Sequence, residues 1–436
     1  GGMCCMKKYS LLIIFLTGFR LLALAVPVTG VVKDNSGNLL PFASIVVKGG
    51  KLGTTANNEG KYILNLPAGS YVLQCMHVGY KMSEKEVTVT AEPLQINFTL
   101  LLQELTLKEI VIGNGMEDPA YEIIRQAIKK RSFYKNQVNA FQCQVYIKGQ
   151  LRLQDYPATI FGQKVDFADG DTSKNKMIYL SETIATYSFQ KPEKEKVEVT
   201  STRVSGQADG FGFGSPRYVT FYDNNIQISK ALNPRGFISP IAENALNFYH
   251  YKFMGSFTEN GRLINHIKVT PKRSYEPLFS GYINIVEDEW RIHSVDLMLT
   301  KESQMELADT LRIEHLYVPV TNDIWMIHSQ VVYPAVKMFG FDAKGSFVTV
   351  YSNYELDPEF DKNFFNNIIL KYDTGSNKKP RAYWDTVRPV PLLDDEIMDY
   401  LKKDSLEIVR RDPRYLDSVD RRKNRFTLGG ILLFGQ

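Results

Sequence analysis

Over most of its length this chain repeats one pattern: a run in which alternate residues are apolar, a short cluster of turn-forming residues, then another such run. A period of two puts every second side chain on the same face, so the pattern calls for half-buried strands. Residues 142–153 alternate in this way, and residues 263–270 do so up to Pro271. Residues 280–286 and 290–300 are joined by Glu287-Asp288-Glu289, and residues 311–319 and 324–333 by Val320-Thr321-Asn322-Asp323; residues 347–354 close the set. Consecutive hairpins of this kind predict one large curved antiparallel sheet, or half-barrel, with few helices. Its 24 Tyr and 25 Phe give such a sheet a substantial core and exclude a disordered chain.

The first hundred residues repeat the pattern on a smaller scale. Strands are expected at 28–33, 43–48, 61–66 and 71–78. Turns fall at Asp34-Asn35-Ser36-Gly37, Gly49-Gly50, Asn57-Asn58-Glu59-Gly60 and Pro67-Ala68-Gly69. Short strands at this spacing predict a small sandwich. Gly30, Val32, Asp34 and Gly37, then Pro41, Ala43, Ile45 and Val47, then Thr55, Asn58, Glu59, Gly60 and Tyr62 are spaced in a way that resembles the carboxypeptidase-regulatory-like domain. Leu66, Pro67, Gly69, Tyr71, Leu73, Gly79 and Tyr80 continue the match. The resemblance implies a transthyretin-like seven-stranded sandwich that accompanies enzymes and outer-membrane receptors and carries no catalysis itself.

A second resemblance covers the central run. Tyr249-His250-Tyr251-Lys252-Phe253 with Gly255, residues 267–273, Phe279, Gly281 and Ile283, and Trp290-Arg291-Ile292 look like a family of Gram-negative outer-membrane proteins. Tyr383-Trp384, Arg388-Pro389, Pro391-Leu392 and Glu396 extend it. The resemblance implies a sandwich first, this β-region second and a C-terminal membrane barrel third.

The N-terminus reads as a secretory signal. Lys7-Lys8 precede the apolar run Leu11 to Leu16, and Ala23-Leu24-Ala25 is a small-residue cleavage site. Arg20 interrupts the apolar stretch, which is shorter than the ~20 residues of a spanning helix. Cys4 and Cys5 precede the apolar core and are not placed as an acylated lipoprotein cysteine. Within 1–25 lie Lys7, Lys8 and Arg20 and no acid, so of 52 Lys and Arg against 48 Asp and Glu the mature chain keeps a charge near neutral. Such a balance gives no electrostatic case for nucleic acid. Of the cysteines beyond the signal, Cys75 shares strand phase with Leu73, and both Cys75 and Cys143 are expected as buried free thiols.

Two helices are expected. Asp118-Pro119 opens one by N-cap and N1 preference, with Ile124 and Ile128 on its apolar stripe. Asp394-Asp395-Glu396 opens the other, with Ile397, Tyr400, Leu401, Ile408 and Val409 as the stripe. Residues 105–112 are expected to link sandwich and sheet as a strand.

Chemistry-bearing motifs are few. No histidine lies in the zinc-protease spacings, and no nucleophile elbow or phosphate-binding Gly-Lys-Ser/Thr loop occurs. Gly210, Gly212 and Gly214 lie among polar loop residues, not between a strand and a helix. If the 320–323 turn is symmetric, His315 and His328 face each other, but two imidazoles do not complete a metal site, and core packing is the favoured reading. Glu287 and Glu289 sit in a turn and are read as solvated. No catalytic, cofactor-binding or metal-binding residue is therefore assigned.

The resulting division is a signal peptide at 1–25, a sandwich at 26–103, a linking strand and helix at 104–140, and a curved antiparallel β domain at 141–360. A helical segment follows at 361–425, and 426–436 is expected to start a barrel strand. The expected function is a non-enzymatic structural or binding module on the periplasmic side of the outer membrane, partnered by envelope components. Alternatives are a periplasmic carrier of lipid or another apolar ligand, since the hairpin series resembles the fold of lipoprotein carriers, and an enzyme of another type.

Overall fold

The computed structural model describes residues 25–107, 117–167, 170–207, 212, 218–366 and 368–411. The expected signal at 1–25, apart from Ala25, and the expected barrel strand at 426–436 lie outside the described residues. Most of the 206–214 glycine loop does too. Strand accounts for 49% of the structure and helix for 13%, as a mainly-β reading requires.

The N-terminal unit is a sandwich of two four-stranded sheets. Its strands are β1 (Val26–Asp34), β2 (Ser44–Val47), β3 (Gly53–Thr55), β4 (Lys61–Leu66), β5 (Gly69–Met76), β6 (Ser83–Val89), β7 (Leu94–Gln95) and β8 (Phe98–Leu100). One sheet holds β1, β4, β7 and β8; the other runs β3-β2-β5-β6. An eighth strand arises because the last one is broken. Its two pieces, β7 and β8, both run parallel to β1. Between them the Ile96 carbonyl comes so close to Gly30 that any Cβ there would overlap it. Val28, Val32, Leu66, Leu73, Cys75 and Phe98 fill the space between the sheets.

After the sandwich, the expected 105–112 strand is limited, among the described residues, to one bridge from Thr106 to Ser256. Helix α1 (Pro119–Lys135) begins as expected, with the Asp118 carboxylate accepting from the Ala120 N–H. Then comes an open sheet of eleven strands. Its long members are β9 (Ala140–Asp155), β10 (Lys176–Gln190), β11 (Lys194–Val204), β12 (Tyr249–Glu259), β13 (Arg262–Pro271), β14 (Ser280–Val286), β15 (Ile292–Thr300), β16 (Thr310–Pro319), β17 (Trp325–Met338) and β18 (Phe341–Leu356). The order is β12 through β18 in sequence, then β9, β10, β11 and a short strand β19 (Leu370–Tyr372). Every pair is antiparallel except the last, in which β19 runs parallel to β11, so the sheet is mixed.

Both faces of this sheet are covered, and strand alternation decides which residue goes where. On one face Phe141, Cys143, Val145, Tyr187 and Ile313 pack against Ile124 of α1 and against Phe221, Phe237 and Ile241 of the segment before β12. We call this the helix face. On the opposite face Tyr146, Val331, Val348 and Val350 meet Phe42 of the sandwich and Val390 of the C-terminal segment, and Leu316 meets Val46 and Met76. The sandwich is thus docked on the sheet.

The C-terminal helices α2 (Arg381–Val387) and α3 (Asp394–Arg410) lie on that sandwich face too. The expected α3 stripe is only partly right. Tyr400 is buried, whereas Leu401, Ile408 and Val409 are exposed among the described residues. The helix is anchored mainly by charge. Glu396, fully buried, pairs with Lys148 of β9 at 2.9 Å, and Asp404 pairs with Arg203 of β11 at 2.8 Å; at the end of α2, Arg388 reaches Glu182 of β10 at 2.5 Å.

Candidate functional site

Two strands of the large sheet carry the tripeptide Ile-His-Ser, at Ile292-His293-Ser294 and at Ile327-His328-Ser329. In both, the sheet register slips at the histidine. Ser294 pairs with Asn284 while Ile292 pairs with Ile285, which leaves His293 as the extra residue. Leu316 pairs with Ser329 while Tyr317 pairs with Ile327, which leaves His328 extra. Such a bulge lets two successive side chains share one face. Both His-Ser pairs therefore point toward the sandwich.

This corrects the expected histidine pair. His315 faces Gln330, not His328, and the two imidazoles lie on opposite faces of the sheet. His315 is fully buried on the helix face, 5.1 Å from the Phe221 ring. His328 reaches across to the sandwich, where its Nε2 is 3.1 Å from the Thr54 carbonyl. Beside it Ser329 Oγ meets Ser44 Oγ at 3.0 Å. Burial pulls the His315 pKa down to about 3 and that of His328 to about 4. His328 is an interface residue and His315 a core residue.

The other His-Ser pair opens onto a cavity. The turn from Met76 to Tyr80 of the sandwich stands over β12 to β16, and between them lies a space of about 290 Å³. Five side chains along its floor form one hydrogen-bonded chain. Asn284 Nδ2 donates to Ser294 Oγ at 2.8 Å, so Asn284 Oδ1, 2.7 Å from His266 Nδ1, accepts from that ring. Ser294 Oγ is 2.9 Å from His293 Nδ1, and His293 Nε2 is 2.8 Å from Glu259 Oε1. With the His293 proton on Nε2, toward Glu259, the donors all run from His266 toward Glu259. Burial lowers the His266 pKa and keeps that ring neutral, so its Nε2 is an acceptor.

Aromatic faces line the same space. Tyr282 stacks on His266 with ring centroids 4.7 Å apart and planes 11° from parallel. Phe257 stands edge-on to His293 at 5.9 Å, and Tyr80 edge-on to His77 at 5.2 Å. Asp296, at one end, is held by Arg312 through two hydrogen bonds of 2.7 and 2.8 Å. The cavity lining contains no Lys or Arg.

Apart from Tyr80, which belongs to the sandwich resemblance, none of these residues stood out in the sequence. The readable trace was the polar doublet His293-Ser294 between Ile292 and Val295, a break in the period of two that marks a bulge. The turn acids, expected to be solvated, are engaged instead. Glu289 pairs with Arg262 at 2.7 Å and with Arg291 at 2.6 Å, and Glu287 accepts from Asn265. Gly212 donates its N–H to Thr202 Oγ1 at 3.0 Å. Cys75 and Cys143 are buried free thiols, and burial pushes both pKa values up. Among the described residues no group of three or more His, Cys, Asp or Glu is placed to share a metal ion.

Comparisons with known proteins follow the division into sandwich and sheet. A model described as CarboxypepD_reg-like domain matches residues 28–112, and one described as Family of unknown function (DUF5686) matches residues 123–354. No curated protein matches the sequence. Among solved structures, a DUF1329 family protein from Desulfovibrio piger is 11% identical, with 58% of this chain and 98% of that one covered and a TM-score of 0.25. A putative outer membrane lipoprotein-sorting protein domain from Vibrio parahaemolyticus is 9% identical over 59% of this chain and all of that one, TM-score 0.24. A LolA superfamily protein from Nitrosomonas europaea is 12% identical over 56% and 96%, TM-score 0.22. At that level of likeness these structures carry no argument about function.

Proposed function

The chain belongs to the Family of unknown function (DUF5686), and we propose from its own geometry that it is a non-enzymatic binding module of the Gram-negative cell envelope. In this reading it sits on the periplasmic side of the outer membrane, and the cavity between sandwich and sheet is its ligand seat. The signal-like N-terminus supports export. The observation that carries the binding reading is the hydrogen-bonded chain from His266 to Glu259 along the cavity floor. A purely structural junction gains most from close apolar packing, as at Val46, Met76 and Leu316 next door. Retaining polar side chains beside open space forgoes that gain, which is what a ligand site requires.

One observation favours a second reading, a hydrolase of the acyl-transfer class. Ser294, His293 and Glu259 have the spacing of a nucleophile, base and orienting acid. Against it, Asn284 already donates to the serine oxygen, and Ser294 is 2% exposed. A fluorophosphonate probe separates the two: covalent labelling at Ser294 would replace the binding reading with catalysis. The carrier alternative needs an open apolar cavity, and on the helix face Phe221, Phe237 and Phe279 are buried in the core.

Saturation-transfer NMR on the full chain tests the binding reading, using a mixture of sugars, amino acids, amines and carboxylates. Wild type is expected to contact at least one class, and Leu105→Trp, which adds bulk at the exposed rim, to lose that contact. Absence of any contact, or contact indifferent to the rim variant, overturns the proposal.

A further inference from the structure

We infer that the ligand of this cavity is a neutral cyclic polyol, a sugar unit, seated with its ring face on the aromatic wall and its hydroxyls toward Glu259 and His266. The inference rests on the binding reading above and goes on to the ligand's chemistry.

Four features of the lining narrow the choice. First, the lining holds no Lys or Arg, and both ring nitrogens of His77 already lie 3.0 Å from backbone carbonyls, so phosphate or carboxylate would meet no free strong donor there. Second, the lining mixes Met76, Leu105, Phe257 and Leu316 with Glu259, Asn284 and Asp296, so an alkyl chain there would cover polar groups without giving them partners. Third, both ends of the hydrogen-bonded chain are acceptors, while the Tyr80 and Tyr282 hydroxyls of the lining can donate or accept. The hydrogen-bond direction fixed by Asn284 leaves His266 with a bare Nε2, and Glu259 ends the chain as a carboxylate. A matching ligand must bring hydrogen-bond donors. Fourth, the charge available for a cation is small. Arg312 takes both oxygens of Asp296, and His293 donates to Glu259. Hydroxyl groups meet these conditions together. A sugar ring also presents C–H groups to aromatic surfaces, and Tyr282, one face of which His266 covers, lines the space together with Phe257 and Tyr80.

The test uses the full chain and isothermal titration with named probes: glucose, galactose, N-acetylglucosamine, maltose and cellobiose, set against choline and inorganic phosphate. A hexose bound by so few groups is expected at a Kd of about 1 mM, tighter for a disaccharide. Tyr282→Ala is expected to weaken binding about tenfold while Tyr282→Phe retains it, since the ring face and not the hydroxyl is used. Glu259→Gln replaces one acceptor oxygen with an NH2 donor, and with the remaining oxygen held by His293 it is expected to weaken binding by a similar factor. Thermal melts of the three variants separate loss of binding from loss of fold. Saturable binding of choline or phosphate, with none of the sugars, overturns the sugar assignment and leaves the cavity as a ligand site. Sugar binding that Tyr282→Ala and Glu259→Gln both leave intact, in folded protein, overturns this seat. No binding by any probe, together with a silent saturation-transfer experiment, overturns both readings.

Discussion

Replacing Glu396 by Ala should release α3 from the sheet. The Lys148 ammonium lies 3.0 and 2.9 Å from the two Glu396 oxygens, and both side chains are essentially inaccessible to solvent. The same carboxylate accepts the Leu393 N–H at 2.9 Å, closing the first turn of α3. The substitution therefore leaves a buried cation without its partner and opens the helix start. Breaking a buried pair from one side costs about 3–5 kcal/mol, and loss of the cap about 1 kcal/mol more. For a chain of this size, about 2 °C of melting temperature per kcal/mol gives a fall of roughly 8–12 °C. Urea titration and hydrogen exchange distinguish local release from global unfolding. Amides of 394–410 are expected to lose protection first. The double variant Lys148→Met with Glu396→Leu removes both charges and should recover to within about 1 kcal/mol of wild type, because two apolar side chains avoid the desolvation penalty of the pair while the cap is still lost. A single variant that costs less than about 1 kcal/mol, or a double variant as damaged as the single one, refutes the reasoning.

Acid should destabilise the protein well above the carboxylate range. His315 and His328 are neutral in the fold with pKa values near 3 and 4, against about 6.5 when unfolded. The unfolded chain takes up the protons first, so this contribution is intact above pH 6.5 and is lost as pH falls toward 4, by about 4 kcal/mol for the pair at pH 5. Denaturant melts of His315→Phe should halve that dependence, and an unchanged slope between pH 6.5 and 5 contradicts it. Gly53→Ala should loosen sandwich docking, since a Cβ there would stand 2.6 Å from His328 Cε1; faster proteolysis between the two units is the readout. An isolated 26–103 fragment should melt cooperatively, because its core is its own, yet bind a hydrophobic dye through Phe42, Val46 and Met76. A fragment that does not fold, or that leaves the dye dark, shows that the division is drawn wrongly.

What the sequence determined was local. Alternation set the strands, so the expected 61–66 strand is β4 to the residue and the 142–153 run lies inside β9. Gly37 and Gly60 closed turns at positive φ, and Asp118 with Pro119 started α1. Each of these depends on a residue and its near neighbours. The apolar spacing of α3 misled because helical period says which residues share a face, not whether that face meets the sheet; Glu396 does, and Ile408 and Val409 are exposed. The candidate site was decided only by tertiary structure. Glu259, His266, Asn284 and His293 come from four strands, and they converge because single residues slip out of register at Met254 and at His293. The partners of Lys148 and His328 are 248 and 274 residues away in the chain. Pairing between strands and the docking of the sandwich select the register, and a shift of one residue reverses the face every later side chain takes.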